Sequence, residues 1–321
     1  MPANHDTPGS NAILVKKRPG IISFYAKDIK KNKMLVIMVL PVIIYYAVFC
    51  YGPMYGVLMA FQHYNPVKGI IGSPWIGLKN FIDFFNSPSA YRVIRNTLLL
   101  NIYSLLFSFP LPILLALLLN ELRSNAYRRA VQLSVYLPHF ISIVVVCGML
   151  VDFCSTEGIF NDIAAFFGAK RGNMLLQPGY FRTIYIGSGI WQQLGWQSII
   201  FFAALSGIDM NLYDSAKIDG CGRFMRAWHV TLPGIMSTII ILLILTLGAM
   251  MSHGYEKVIL LYNPLTYETG DIISTFVYRR GLLSRNYSFS TAVQLFNSII
   301  NFMLLISANW ISRRVSDTSF W

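Results

Sequence analysis

The sequence has few charged residues and few cysteines for its length. Charged side chains make up 12% and hydrophobic ones 55% of the 321 residues, against about 25% and roughly 45–50% in soluble domains. This composition excludes an ordinary soluble protein. The four cysteines, Cys50, Cys147, Cys154 and Cys221, lie in or beside apolar runs without a close pair motif. We interpret them as buried hydrophobic side chains, with no disulfide framework or metal site implied.

Groups that would carry catalysis are also missing from the sequence. The five histidines are scattered, without the His/Cys or His/Glu spacing of a metal site. No glycine-rich loop ends in Gly-Lys-Ser or Gly-Lys-Thr, so we expect this chain not to hydrolyse ATP itself. Nothing in the sequence resembles a catalytic centre, and we expect no catalytic residue, metal or cofactor in this chain. The net charge of +12 is not gathered on one polar domain, which argues against nucleic acid binding.

What the sequence does have is a series of apolar runs of about 20 residues, the length that crosses a bilayer. They predict an all-α membrane protein with six transmembrane helices. The predicted spans are 34–59, 97–119, 131–151, 184–205, 232–251 and 292–311. They form a transmembrane domain at 34–311, between an N-terminal tail at 1–33 and a short C-terminal tail at 312–321. No Asp, Glu, Lys or Arg falls inside the spans, whereas ion-coupled carriers tend to use such groups.

Basic residues predict the orientation. The tail at 1–33 holds seven Lys or Arg, and such a tail is costly to translocate. An even number of spans then puts both termini in the cytoplasm, together with segments 120–130 and 207–231. The predicted cytoplasmic segments carry 15 Lys or Arg and the outer segments 11, a modest bias in the same direction.

The most polar interval between two apolar runs extends from Tyr213 to Pro233. Asp209 or Asn211 can cap a helix before it, and Gly220 and Gly222 end that helix at little cost. In the helix that follows, Phe224 and Trp228 are four residues apart and share a face. Pro233 suits the first turn of the next helix. The pattern predicts helix, glycine elbow and helix between two spans.

This interval resembles the cytoplasmic loop signature of binding-protein-dependent ABC importers. The signature is Glu-Ala-Ala, three residues, Gly, nine residues, Ile, any residue, Leu-Pro. The matching positions are Asp214, Ser215, Ala216, Gly220, Val230, Leu232 and Pro233. Asp, Ser and Val stand where the signature has Glu, Ala and Ile. Nearly the whole chain resembles permeases of carbohydrate importers, through four softer motifs: Tyr51–Gly56, Gly77–Phe81, Asn96–Leu98 and Asp317–Trp321.

The resemblance implies a type I ABC importer permease whose coupling-helix loop, 207–233, docks on an ATPase. The docking residues implied are Asp214, Ser215, Ala216, Asp219, Gly220, Arg223, Phe224, Trp228, Leu232 and Pro233. Expected partners are a second six-span permease subunit, two cytoplasmic ATPase subunits that bind ATP and magnesium, an extracytoplasmic sugar-binding protein and membrane lipid. The expected location is the bacterial cytoplasmic membrane. An ion-coupled carrier or a membrane-embedded enzyme is the alternative.

Amide and aromatic side chains inside the spans predict a sugar pathway, because a sugar needs amides for its hydroxyls and an aromatic plate for its C–H faces. Polar groups at this depth should face the bundle interior or a wet cavity. The candidates are Trp191, Gln192, Gln193, Trp196, Asn297 and Asn301, with Asn101 and Tyr103 as weaker ones. The alternative is that these residues only pack between helices or anchor at the membrane interface.

Overall fold

The structure, a computed structural model, describes residues 31–252 and 254–315, and within these ranges nearly all regular structure is helical. The N-terminal tail to residue 30 and the motif Asp317–Trp321 lie outside the described residues. Helices longer than one turn are numbered in chain order. They are α1 (Lys33–Phe61), α2 (Lys79–Phe85), α3 (Ala90–Glu121), α4 (Asn125–Phe140), α5 (Ile143–Phe153), α6 (Ile159–Phe166), α7 (Pro178–Leu205), α8 (Met210–Ile218), α9 (Arg223–Gly234), α10 (Met236–Ala249), α11 (Tyr255–Leu261), α12 (Ile273–Tyr278) and α13 (Tyr287–Val315).

The chain divides into two units, with the boundary after Gly56. The described part of the first unit, from residue 31, is helical and contains a wide turn at Tyr46–Tyr51, just before Pro53. Nearly every side chain in it is exposed, although almost all of them are apolar. A helix that is apolar all round is typical of a membrane span.

Three described helices are long and apolar enough to cross a membrane: α1, α3 and α13. Two bent pairs, α4 with α5 and α9 with α10, would raise the number to five. The prediction of a mostly helical membrane protein is confirmed, and the count of six spans stays a prediction. Helix α7 covers the predicted fourth span with 28 residues. It falls outside these five because its three glutamines lower its mean hydropathy.

The predicted third span, 131–151, differs from a straight helix. Helices α4 and α5 meet at an angle of 96°. Pro138 lies in the tight last turn of α4, and Ile141 and Ser142 then adopt extended backbone conformations. The Ser142 side chain accepts a hydrogen bond from the Val145 N–H and starts α5. The proline therefore ends a helix here, where the sequence alone is also compatible with a kink.

The predicted fifth span, 232–251, begins later than expected. Its straight part, α10, starts at Met236 and bends by 61° from α9. Pro233 lies inside α9, after a wide turn in which the Leu232 N–H donates to the Ala227 carbonyl. Pro233 is therefore among the first residues of the regular turn Leu232–Gly234, where a missing donor costs little, as predicted. The straight part of the span begins after this turn and not at the proline.

The core of the second unit lies around α7. Leu100, Val146, Phe181 and Val258 belong to one buried cluster, which joins α3, α5, α7 and α11. Gly195 lets α7 approach α4 closely, since a Cβ at this position would collide with the Val135 carbonyl. Small residues at such contacts are typical of helices that pack within membranes.

Candidate functional site: a polar cavity and an exposed loop

A cavity of about 970 Å³ lies between α3, α7, α10 and α11. This volume is within the roughly 300–1,000 Å³ of small-molecule sites. Helix α3 contributes amide and hydroxyl groups from Asn101, Ser104 and Ser108, and α7 contributes three glutamines. Apolar side chains from α3, α7 and α10 complete the walls. Polar groups that would be costly in lipid are therefore gathered around an open volume.

The structure separates the predicted pathway residues into two groups. Asn101, Gln192 and Gln193 line the cavity. Five others do not belong to its lining: Trp191, Trp196, Asn297, Asn301 and Tyr103. Trp191 borders a second, almost wholly apolar cavity of about 680 Å³ beside α5 and α6.

One glutamine of α7 bonds to the broken backbone between α4 and α5, and a second bonds to a side chain at the end of α4. The Gln192 amide donates to the Ile141 carbonyl at 2.9 Å. Gln193 Oε1 lies 3.0 Å from Nδ1 of His139, whose ring stacks on Trp196 with centroids 4.3 Å apart. Gln197 lies one turn beyond Gln193, is exposed and lines the same cavity. It is the glutamine with no described hydrogen-bond partner.

Asn297 and Asn301 hold the end of α10 to α13. The Asn297 amide donates to the Met251 carbonyl at 3.0 Å, and its side chain is only 1% exposed. Asn301 accepts from the Met251 N–H and donates to the Gly248 carbonyl. The Gly248 carbonyl lies in the last turn of α10 and the Met251 groups lie just beyond it, so the two amides replace hydrogen bonds that the helix end does not make.

Lys257 is a cavity residue that sequence reasoning missed, because it falls in the predicted outer segment 252–290. It lies on the short helix α11, outside the candidate spans, and its side chain is buried. Its ammonium donates to the Tyr185 carbonyl at 2.7 Å and lies 5.0 Å from the centre of the Tyr185 ring. Burial lowers the pKa of Lys257 to about 8. A lysine just before the apolar run Val258–Leu261 is the signal that could have revealed it.

A buried ion cluster joins α3 to the segments that flank α12. Asp271 is fully buried and accepts two hydrogen bonds from Arg279, at 2.9 and 2.7 Å, and one from Arg92 at 3.4 Å. Burial acts to lower the pKa of Arg279, but the hydrogen bonds and charge of Asp271 outweigh it and raise this pKa above its ordinary value. The cluster therefore ties the segment after α11 to α3.

Asn96 extends this cluster through the backbone. Its amide donates to the carbonyls of Tyr267, Glu268 and Asp271 at 3.3, 2.9 and 3.1 Å. Its Oδ1 accepts from Arg182 of α7 at 2.9 Å. The motif Asn96–Leu98 noted in the sequence thus has a packing role in the structure.

The loop 207–233 has the predicted arrangement of helix, glycine turn and helix. Asp209 caps α8 by accepting from the Asn211 N–H, Gly220 adopts φ +77°, and Gly222 precedes α9. The Tyr213 and Thr231 hydroxyls lie 3.1 Å apart and join the two helices. Arg223 of α9 lies 3.9 Å from Glu121, at the end of α3. The loop is therefore braced internally and against the bundle.

The apolar side chains of the second loop helix point away from the rest of the chain. Phe224 is 84% and Trp228 60% exposed, with Met225 between them also exposed. Among the other predicted docking residues, Asp214, Ser215, Asp219, Gly220, Arg223 and Pro233 are exposed, Leu232 is half-buried and Ala216 is buried. Exposed aromatic residues on a braced polar loop are typical of a protein contact.

Comparison with known proteins agrees with this geometry. Residues 108–317 match the family described as binding-protein-dependent transport system inner membrane component. The chain is 41% identical over 292 residues to the polygalacturonan/rhamnogalacturonan transport system permease protein YteP of Bacillus subtilis, covering 91% of each chain. It is 45% identical, with a TM-score of 0.85, to a chain of a bacterial ABC transporter that imports the acidic polysaccharide alginate, covering 91% of this chain and 99% of that one. Another structure of the bacterial alginate ABC transporter, in complex with alginate pentasaccharide-bound periplasmic protein, gives the same identity and TM-score, with 98% of that chain covered. The chain therefore belongs to the family of binding-protein-dependent transport system inner membrane components, the permeases of ABC importers.

Proposed function

We propose that this chain is one of two membrane subunits of an ABC importer that carries an oligosaccharide across the bacterial cytoplasmic membrane. Its partners are a second six-span permease, an extracytoplasmic sugar-binding protein and two cytoplasmic ATPase subunits that bind ATP and magnesium. Relatives named for polysaccharide import, one of them in complex with a sugar-loaded periplasmic protein, support this cargo and this delivery. The family match favours the importer over an ion-coupled carrier or a membrane enzyme.

The observation that carries the proposal is the exposed apolar face of α9. Phe224 and Trp228 are exposed on a loop whose own polar groups bond internally. Burying aromatic side chains of this size in a cleft of the ATPase would supply most of the docking free energy. The Tyr213–Thr231 contact would then keep α8 and α9 together, and the Arg223–Glu121 contact would pass a displacement of the loop to α3.

The cavity is the proposed path of the solute. Asn101, Gln192, Gln193 and Gln197 supply neutral hydrogen-bonding groups of the kind that sugar hydroxyls need. The bundle alternates between openings on the two sides of the membrane, as the ATPase pair closes and opens. Six spans place the cavity between two aqueous compartments, with both termini and the loop 207–233 in the cytoplasm.

A transport assay tests the function. The chain is co-expressed with candidate permease, ATPase and binding-protein partners from the same organism and reconstituted in proteoliposomes. We expect oligosaccharide accumulation that requires both ATP and the binding protein. Accumulation driven by a proton or sodium gradient without ATP would instead identify an ion-coupled carrier.

Cysteine labelling tests the orientation. In a chain whose four native cysteines are replaced by serine, Lys170→Cys should react with an impermeant reagent added from outside, and Ser124→Cys should not. The reverse pattern would move the loop 207–233 out of the cytoplasm and remove the docking proposal.

A further inference from the structure

The cavity contains one buried charge that a neutral sugar does not require. Of its described lining residues, Glu256 and Lys257 carry a formal charge at neutral pH. Glu256 is exposed, whereas Lys257 is only 8% exposed. Water and salt screen an exposed charge, but a buried charge acts through a lower effective dielectric constant. The field inside the cavity is therefore dominated by the positive charge of Lys257.

This ammonium has no counter-charge in the described part of the chain. It forms no ion pair with a described carboxylate, and its recorded hydrogen bond goes to the Tyr185 carbonyl. That bond uses one of the three donors of a lysine side chain. A buried charge without a partner is costly, and an anion in the cavity would relieve the cost.

The rest of the described lining is neutral and supplies amide and hydroxyl groups, which suit sugar hydroxyls but leave a carboxylate to Lys257. We propose that the cavity takes an oligosaccharide whose residues carry carboxylates, a uronic-acid oligomer, and that Lys257 binds one of these carboxylates. This inference rests on the proposed function. A relative imports an acidic polysaccharide, and the inference adds the residue of this chain that would select an acidic sugar.

The test measures equilibrium binding to the purified transporter complex in lipid nanodiscs, without the binding protein, so that the permease alone determines the result. The probes are trigalacturonate and trimannuronate, each compared with its fully methyl-esterified form, which keeps the ring and removes the charge. We expect the acids to bind about tenfold more tightly than their esters, the range of a charge-assisted hydrogen bond. Lys257→Met should abolish this preference, and Lys257→Arg should retain part of it.

Glu256→Gln provides the matched variant, because this carboxylate borders the same cavity from an exposed position. Removing its repulsion should tighten acid binding by about twofold, as is typical of an exposed charge. If Lys257→Met does not assemble, Lys257→Gln, which keeps a donor for the Tyr185 carbonyl, takes its place, and an acid-to-ester ratio in this variant equal to that of the wild type overturns the inference. Equal binding of acid and ester by the wild type, or no binding of either acid, also overturns it. If neutral oligosaccharides still accumulate with ATP, the transport function stands; if no oligosaccharide accumulates, the proposed function fails as well.

Discussion

The buried ion cluster and the loop 207–233 are opposite exceptions to the usual burial of apolar and exposure of charged side chains. The cluster buries a carboxylate completely and surrounds it with Arg92 and Arg279. The loop bonds its polar groups to one another and leaves Phe224 and Trp228 exposed. The buried carboxylate has its charge balanced within the chain, whereas most of the surface of the two aromatic rings is left uncovered. The difference separates a region that holds the fold from one that awaits a partner.

The largest expected effect is on the ion cluster. Asp271→Ala would leave Arg279 and Arg92 without their shared carboxylate, a change that costs about 3–5 kcal/mol when a buried pair is broken. Thermal unfolding of the purified chain in detergent should show a clear loss of stability. Asp162→Ala is the control, because Asp162 pairs with Arg171 in an exposed position and should change stability by about 1 kcal/mol or less. Equal effects of the two substitutions would contradict the structural role of the cluster.

Substitutions in the loop 207–233 should weaken ATPase binding and leave the stability of the chain unchanged. Truncating Phe224 and Trp228 together to alanine should leave the fold intact, because neither ring is buried within the chain. Loss of each anchor is expected to cost about 2 kcal/mol or more, over tenfold in affinity for the ATPase. Co-purification of the ATPase measures this effect. Phe167→Ala, an equally exposed aromatic on a predicted outer segment, is the control and should not reduce retention. Normal retention by the double variant would remove the docking role.

Smaller effects should distinguish amides of the spans that stabilise the fold from amides that contact the solute. Asn297→Ala leaves a buried carbonyl at Met251 without its donor and should destabilise the chain by about 1–3 kcal/mol. Gln197→Ala removes a cavity amide with no described partner and should leave stability unchanged while reducing sugar uptake about threefold, as expected for the loss of one hydrogen bond of about 0.5–1.5 kcal/mol. Thermal unfolding and proteoliposome uptake, measured on both variants, separate the two roles. Reduced uptake in neither variant would place the solute contacts elsewhere.

The sequence predicts the loop well because its signals are local. The Asp209 cap, the Gly220 turn and the spacing of Phe224 and Trp228 each depend on residues a few positions apart. The ion cluster depends on contacts that no local pattern contains, since Arg92 and Asp271 are 179 residues apart in the chain. For the same reason the sequence alone assigns Lys257 to a polar outer segment, since its contact with Tyr185 is visible only in the fold.

The amides of the spans show the limit of periodicity. Gln192 and Asn297 both lie in predicted spans and both bond to carbonyls where another helix breaks or ends, yet only Gln192 reaches the cavity. The spacing indicates that such residues need a hydrogen-bond partner. It does not indicate whether that partner is the backbone of a broken helix or a solute. Pro138 is a similar case, because a proline in an apolar run is compatible with either a kink or an end.

The left-handed backbone conformation of Gly220 provides a further test of the loop. Gly220 has φ +77°, where a β-branched residue is strained by about 1–2 kcal/mol. A Cβ there would have no close neighbour, so crowding would not add to the effect. Gly220→Val should therefore misdirect α9 and lower sugar-stimulated ATP hydrolysis, whereas Gly220→Asn, which tolerates this conformation, should lower it less. Equal activity of the two variants would show that the left-handed turn is not needed for coupling.

The smallest effect is expected at Asp214, the residue at the acidic position of the loop signature. Its carboxylate pairs with Lys217 at 2.8 Å, but both side chains are more than half exposed. Exposed pairs contribute only about 0–1 kcal/mol, so Asp214→Ala and Lys217→Ala should each reduce ATPase retention slightly and to the same extent. Both losses should shrink further at high salt, which screens the pair. If Asp214→Ala instead lowers retention tenfold while Lys217→Ala does not, the carboxylate contacts the ATPase directly. The docking surface would then extend from the aromatic face of α9 to the polar face of α8.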